Sequence, residues 1–280
     1  MQETSSTFKL DRQTMLSLGD KLSAGFQVAS PYPHVVVDDV FPDALLDDVL
    51  SEYPEPEDVE WQSFDLPTEL KLALADTDRM GPVTRHVLAE LNGQVFVDFL
   101  ERLTGITGLI PDPHLDGGGL HQIRRNGFLK VHADFNRHDR LPLDRRVNVL
   151  LYLNHDWPES YGGHLELWDK SMTSCKRRIL PIFNRMVVFA TTDFAYHGHP
   201  DPLTCPQARA RRSMALYYYT NGRPASEVSH THTTLFRARP DESITRSRSW
   251  HDAAVRWVPP ALYDVARSKR NRVRERRRGS

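Results

Sequence analysis

Between residues 120 and 220 the chain is a succession of short apolar runs, each closed by glycine, asparagine, aspartate or proline. The runs fall at 127–134, 146–154, 164–168, 178–182, 185–190 and 212–220. All are short for helices, and turn residues at this spacing predict a sandwich or barrel. One run shows its period openly: Val147, Val149, Leu151 and Leu153 alternate with Asn148, Leu150, Tyr152 and Asn154. Period two describes a strand with an apolar face and a mixed face.

The first hundred residues read differently. Met15, Leu18, Leu22 and Phe26 form a helical stripe over 11–26, and Val35, Val36 and Val37 read as a buried strand. Phe41-Pro42-Asp43 opens a second helix through Leu45, Leu46, Val49 and Leu50. The stretch 57–81 is polar and reads as irregular, with Trp61 and Phe64 as packing anchors. A single helix is predicted over 82–103 through Val87, Leu91, Val95, Phe99 and Leu103, ended by Gly105. These helices would buttress the outside of one sheet. The organisation expected is a helical extension at 1–30 and one domain at 31–236, with a buttress at 31–106 and a β core at 117–221. A C-terminal extension follows at 237–280.

Composition narrows the setting. Hydrophobic residues make up 39% and charged residues 26%, an ordinary globular balance. No run approaches the roughly 18 apolar residues of a membrane span, and no apolar leader follows a basic start, so a cytoplasmic protein with no membrane partner is expected. Two cysteines, Cys175 and Cys205, against 13 histidines exclude a disulfide scaffold and a zinc finger. Residues 269–278 carry seven basic side chains and one acidic. That tail reads first as a disordered, solvated chain end. Nucleic-acid contact is the lesser reading, because no aromatic residue interleaves with the arginines.

Chemistry concentrates at 127–134, Gly-Phe-Leu-Lys-Val-His-Ala-Asp. In a strand, His132 and Asp134 project to one face. An imidazole nitrogen and a carboxylate oxygen make two corners of a metal site. The third ligand is expected downstream at His197 or His199, which follow an apolar strand and share a face, so spacing alone leaves both open. Two histidines and one carboxylate on one face form the triad of non-haem Fe(II) oxygenases. Arg209, Arg211 and Arg212 lead into the strand Ser-Met-Ala-Leu-Tyr-Tyr-Tyr. An arginine there, aimed at the cavity, can grip a carboxylate with a two-pronged fork. His121, His138, His155 and His164 are read as surface or loop residues.

The ordered series is more telling than any piece of it. Gly127-Phe128 leads to His132-x-Asp134, then Tyr152-Leu153-Asn154-His155-Asp156-Trp157, Gly162-Gly163 and Pro181. Asn184-Arg185-x-Val187-x-Phe189, a histidine, and Arg211-x-Ser213-x-x-x-Tyr217 follow. Over 117–221 this resembles the prolyl 4-hydroxylase-like branch of the Fe(II)/2-oxoglutarate-dependent dioxygenases. The resemblance implies a double-stranded β-helix, a jelly-roll barrel with flanking helices. It implies Fe(II), 2-oxoglutarate and O2, with ascorbate as reductant. It makes His132 and Asp134 the proximal ligands and His197 the distal one, with Pro202-Leu203 after it and His199 as the other choice. It makes Arg211 the anchor of 2-oxoglutarate, with Arg212 as competitor, and Tyr152 a hydrogen-bond partner of the same carboxylate. Related halogenases carry a small residue in place of the carboxylate, so Asp134 argues for hydroxylation. The implied substrate is a prolyl residue of a peptide or protein, a free amino acid or a small natural product. The rival readings are a barrel that binds a ligand without turnover and a zinc hydrolase built on the same triad.

Overall fold

Alternation along one strand sets up the whole architecture. In a computed structural model describing residues 8–138, 140–240 and 242, Val147, Val149, Leu151 and Leu153 enter the main core under the helices. The intervening Asn148 and Tyr152 face inward instead; Asn148 donates across to Asp134, and the Tyr152 hydroxyl accepts from Arg211 on the neighbouring strand.

The elements in chain order are α1 (Arg12–Val28), β1 (His34–Asp38), α2 (Asp43–Ser51), β2 (Gln62–Leu66) and β3 (Glu69–Leu74). Next come α3 (Pro82–Leu91), α4 (Gln94–Thr104), β4 (Ile110–Pro111), β5 (Gly119–Arg124) and β6 (Phe128–Ala133). Then follow β7 (Asp144–Tyr152), β8 (Leu165–Trp168), β9 (Cys175–Ile179) and β10 (Arg185–Ala190). Last are β11 (His197–His199), β12 (Ala210–Thr220) and β13 (Leu235–Phe236). One sheet runs β1-β10-β7-β12-β5 and the other β6-β11-β8-β9, with β3 hydrogen-bonded to both β5 and β6. Neighbouring strands are antiparallel, and the two curled sheets form a double-stranded β-helix.

The helices lie on the outer face of the first sheet. Phe26 of α1, Leu46 and Val49 of α2, Val87 and Leu91 of α3, and Phe96, Phe99 and Leu103 of α4 are buried against Val149, Met186, Val188 and Leu216. Burying a side chain of this size contributes about 1.5–3 kcal/mol. Asp11 caps α1 by accepting from the Thr14 amide at 2.8 Å. No helix among the described residues is long and apolar enough to cross a membrane.

Three expectations need correction. The helix predicted at 82–103 is two helices, broken at Asn92-Gly93. The apolar stripe changes phase there: Leu91 and Phe96 are fully buried while Val95 is only partly so. A five-residue step does not stay on one face of a continuous helix, so the axis turns. Gly105 does end α4, in the left-handed conformation at φ 69°. The stretch 57–81 holds the hairpin β2–β3 as well as loops; in β3, Leu70, Leu72 and Leu74 alternate with Glu69, Lys71 and Ala73, a period-two signal only six residues long and flanked by the mostly exposed β2. Trp61 is nevertheless a buried anchor, stacked on Tyr53. The strand expected at 178–182 is β9 at Cys175–Ile179, since Pro181 has no N–H for a ladder. The basic run 269–278 lies outside the described residues.

Candidate active site

β6 and β11 pair antiparallel with His132 opposite His197, and both side chains enter the space between the sheets. Asp134 follows the end of β6 by one residue. His132 Nε2 lies 3.5 Å from Asp134 Oδ1, and His197 Nε2 lies 3.5 Å from Asp134 Oδ2. The three donor atoms are all within 4.8 Å of one another.

The ring orientations decide what these nitrogens offer. Nδ1 of His132 is 2.9 Å from the Lys130 carbonyl, and Nδ1 of His197 is 2.9 Å from the Ala195 carbonyl. A carbonyl only accepts, so each Nδ1 carries the proton and each Nε2 keeps its lone pair toward Asp134. Burial pushes His197 down to about 4, against the pull of Asp134. Burial opposes ionisation of Asp134, but Arg145, His197 and His132 together hold its carboxyl well below the usual range. Two imidazoles with their Nε2 atoms turned inward and one carboxylate on one side of a cavity are a donor set that suits Fe(II).

A second group, Asp112, Asp116 and His138, also brings three donor atoms within 4.8 Å. Here Nδ1 of His138 accepts from the amides of Arg140 (3.1 Å) and Leu141 (3.3 Å). Its proton therefore sits on Nε2, the atom facing Asp116 and Asp112 at 3.3 and 3.6 Å. A protonated nitrogen does not ligate, so this cluster braces a loop. His138 is buried, contrary to its reading as a surface residue.

At the other end of the cavity stands Arg211, on β12. Its Nε donates to the Gly163 carbonyl at 2.8 Å and its Nη2 to the Tyr152 hydroxyl at 3.2 Å, which leaves Nη1 for a ligand. Gly163 has φ +76°, and a Cβ there would come within 3.0 Å of Arg211 Cδ and 2.6 Å of Leu203. Glycine is what lets the guanidinium lie against the backbone. Arg212 points to the opposite face, over the Tyr53 ring and onto Glu55 at 2.5 Å. The alternation of β12 thus separates the two arginines.

The structure brings His132, Asp134, His197 and Arg211 to one cavity of about 210 Å³, with Tyr152 buried behind it against Arg211. His199 lines it too, two residues beyond His197. Four features of the cavity were not read from the sequence. His121, expected at the surface, sits on β5 and lines the cavity. Arg145 and Asn148 both donate to Asp134 Oδ2, at 3.0 and 2.7 Å. Phe236, on β13, packs on the His132 ring at 5.5 Å. Asn148 shares the inward face with Tyr152, so the alternation of β7 pointed to it. No local pattern announced Arg145 or Phe236. Away from the cavity, His164 is buried and 2.5 Å from Glu159, whereas His155 is exposed as expected.

Residues 118–219 match the family model of the 2OG-Fe(II) oxygenase superfamily. No curated protein matches the chain. Among solved structures, a Pseudomonas putida prolyl-4-hydroxylase aligns with a TM-score of 0.51 at 16% identity, covering 74% of this chain and 100% of that one. A Trichoplax adhaerens prolyl hydroxylase, in complex with a hypoxia inducible factor oxygen degradation domain peptide, gives 0.55 at 16% identity, over 77% and 96%. A Phytophthora capsici prolyl 4-hydroxylase gives 0.52 at 18%, over 81% and 72%. At these identities the likeness is one of fold, and the family match falls on the strands that carry the triad and Arg211. The chain is therefore built around a 2OG-Fe(II) oxygenase domain with the prolyl 4-hydroxylase-like fold.

Proposed function

We propose that this chain is an Fe(II)- and 2-oxoglutarate-dependent hydroxylase in which His132, Asp134 and His197 hold the metal and Arg211 with Tyr152 holds the cosubstrate. The observation that carries this is the pairing of two features in one cavity. One is a triad whose histidines have their Nε2 lone pairs directed inward. The other is a buried arginine with one nitrogen still open at the far end.

When bound, iron and 2-oxoglutarate supply the activation of O2 that inserts one oxygen into a C–H bond and releases succinate and CO2. The chain's own residues do the rest. The carbonyls of Lys130 and Ala195 fix the two imidazole tautomers. Arg145 and Asn148 hold Asp134 in place through its Oδ2. Arg211 offers a charged donor to the distal carboxylate, with the Tyr152 ring and hydroxyl bracing it. Phe236 shields His132 from water. It is carried by a strap at 229–236, which Asn136 pins by donating to Ser229 Oγ and the His230 carbonyl at 3.0 Å.

The substrate we infer is a prolyl residue of a peptide or protein, or a free amino acid or small natural product. The peptide-bound Trichoplax structure supports the first of these by analogy of fold. Ascorbate serves as reductant. The free Cys175 and Cys205 suit a reducing, cytoplasmic setting. Rival readings lose ground to Arg211. A zinc hydrolase has no use for a buried anion clamp, and neither does a barrel without turnover that binds a neutral ligand.

The test is succinate formation from 2-oxoglutarate in air with Fe(II) and ascorbate, comparing wild type with His132→Ala. Slow turnover without added substrate, absent in the variant, is expected. Failure of wild type to bind either Fe(II) or 2-oxoglutarate would overturn the reading.

A further inference from the structure

Arg209, Arg211 and Arg212 lead into β12, and the reading of the cavity uses only Arg211. The other two line a second hollow, of about 160 Å³. It shares no lining residue with the cavity of the triad. Leu50 of α2 and Leu153 give the hollow an apolar side. The His155 ring, stacked on Phe183 at 3.6 Å, also lines it.

The hollow is made of parts that are bonded in place. Asn154, 4% exposed, accepts from the Arg212 amide at 2.7 Å and donates to the Arg212 and Pro181 carbonyls at 3.1 and 2.7 Å. Arg125 donates to the Thr204 and Cys205 carbonyls at 3.2 and 2.9 Å, which pins the loop that carries Arg209. Each guanidinium of the hollow is then aimed by one nitrogen. Nη2 of Arg212 meets Glu55 at 2.5 Å, with the group lying over the Tyr53 ring. Nη2 of Arg209 donates to the His155 carbonyl. Nε of Arg212 is enclosed. Nη1 of Arg212, and Nε and Nη1 of Arg209, have no hydrogen-bond partner among the described residues and are the donors left for a guest.

Two half-buried guanidiniums on one small hollow repel each other. Glu55 meets one edge of Arg212, and Asp47 is engaged by Nε2 of His155 at 2.7 Å. An oxyanion between the two arginines relieves the repulsion, and the planar fork of N–H groups matches its geometry. Leu50 and Leu153 suit a short hydrocarbon body behind that head.

We propose that this hollow is a second anion site, separate from the cosubstrate cavity, which takes the carboxylate or phosphate of a small molecule between Arg209 and Arg212. Strand alternation turns Arg212 away from Arg211, so the two sites lie back to back across β12. The proposal stands on the hollow alone and does not depend on what the triad binds.

The experiment is a titration of the isotope-labelled full-length chain, followed by two-dimensional amide spectra, at constant ionic strength. Inorganic phosphate is one probe and butyrate the other. Saturable shifts centred on 153–155 and 208–212 are expected with at least one probe, and whichever binds names the chemistry of the head group. Arg209→Gln and Arg212→Gln should each weaken that probe about tenfold or more, the loss for a hydrogen bond to a charged group. Arg124→Gln removes an exposed arginine of β5 outside the hollow and should leave the affinity within about twofold of wild type. Should Arg212→Gln disturb the fold, Arg209→Gln alone gives the comparison. No shifts at these amides with either probe would overturn the proposal. So would shifts that fail to saturate, or that persist unchanged in the Arg209 variant.

Discussion

Nη2 of Arg145 lies 3.0 Å from Oδ2 of Asp134, and both groups are buried. The guanidinium is 1% exposed, sits 3.4 Å from the centre of the Tyr217 ring, and spends Nε on Asn148 Oδ1 at 2.9 Å. Asn148 in turn donates to the same Asp134 oxygen. The carboxylate is therefore held from behind by a closed three-residue circuit. Removing one member of a buried ion pair costs about 3–5 kcal/mol, because the other charge is left behind. Arg145→Met should lose stability on that scale and weaken Fe(II) binding about 10–100-fold, the range for residues that orient a ligand. Wild-type metal affinity in this variant would show that Asp134 needs no support.

The two adjacent arginines should part company in kinetics. Arg211→Ala is expected to raise the KM for 2-oxoglutarate by about a hundredfold, the loss of a charged, buried hydrogen-bond partner. Arg212→Ala removes only the contact with Glu55 and Tyr53 on the outer face. It should leave that KM unchanged and cost at most about 1 kcal/mol of stability. The reverse result would place the wrong arginine in the cavity.

Acid should destabilise the metal-free protein in two stages. Burial holds His197 at about 4, and it lowers His34 and His199 as well. In the unfolded chain these groups protonate near their ordinary value of about 6.5. Between that pH and about 4 the unfolded state binds more protons, so stability falls as pH falls. A histidine as buried as His197 contributes on the order of 2–3 kcal/mol to this loss. The Asp134 carboxyl, held low against burial by Arg145 and the two histidines, adds its loss only below its unfolded value near 4. Thermal midpoints from pH 7 to 4.5 check the first stage; a flat profile would contradict it.

Scaffold and site should be separable. Phe96 is fully buried where α4 meets β12, tilted against Tyr218 at 6.1 Å. Phe96→Ala should cost roughly 3–5 kcal/mol as a large cavity. Fe(II) affinity should not change in the fraction that remains folded, since no triad residue touches this ring. Coupled loss of stability and metal affinity would mean that the helical buttress tunes the triad directly.

What could be read in advance follows from what local sequence encodes. The alternation of β7 and the His-x-Asp step are properties of one strand, so the barrel and the meeting of His132 and Asp134 in one cavity were legible. Setting His197, rather than His199, beside His132 and Asp134 depended on pairing with β6, a partner far away in the chain. Choosing Arg211 over Arg212 depended on the register of β12 against β7 and β5. Arg145 stayed hidden because an arginine at a strand start looks the same whether it meets water or a buried carboxylate. The hairpin of β2 and β3 stayed hidden for a related reason: Glu69 and Lys71 pair with each other at 3.0 Å beside the cavity, and so read as surface charge.

That hairpin gives the barrel a latch. Hydrogen-bonded strands among the described residues join the two sheets only through β3, which holds β5 by Leu72, Ala73 and Leu74 and holds β6 by Glu69 and Leu70. The closure on the β6 side is Glu69 and Leu70, continued by the Thr68 carbonyl, which accepts from the Lys130 amide at 2.8 Å. Unfastening it parts the wall lined by Phe64 and Lys71, while His132 stays paired with His197 and β12 with β5. Opening of so few ladder bonds lies at the inexpensive end of local unfolding. The bonds that close this wall and those that pair His132 with His197 are thus different, and selection can loosen one set without loosening the other.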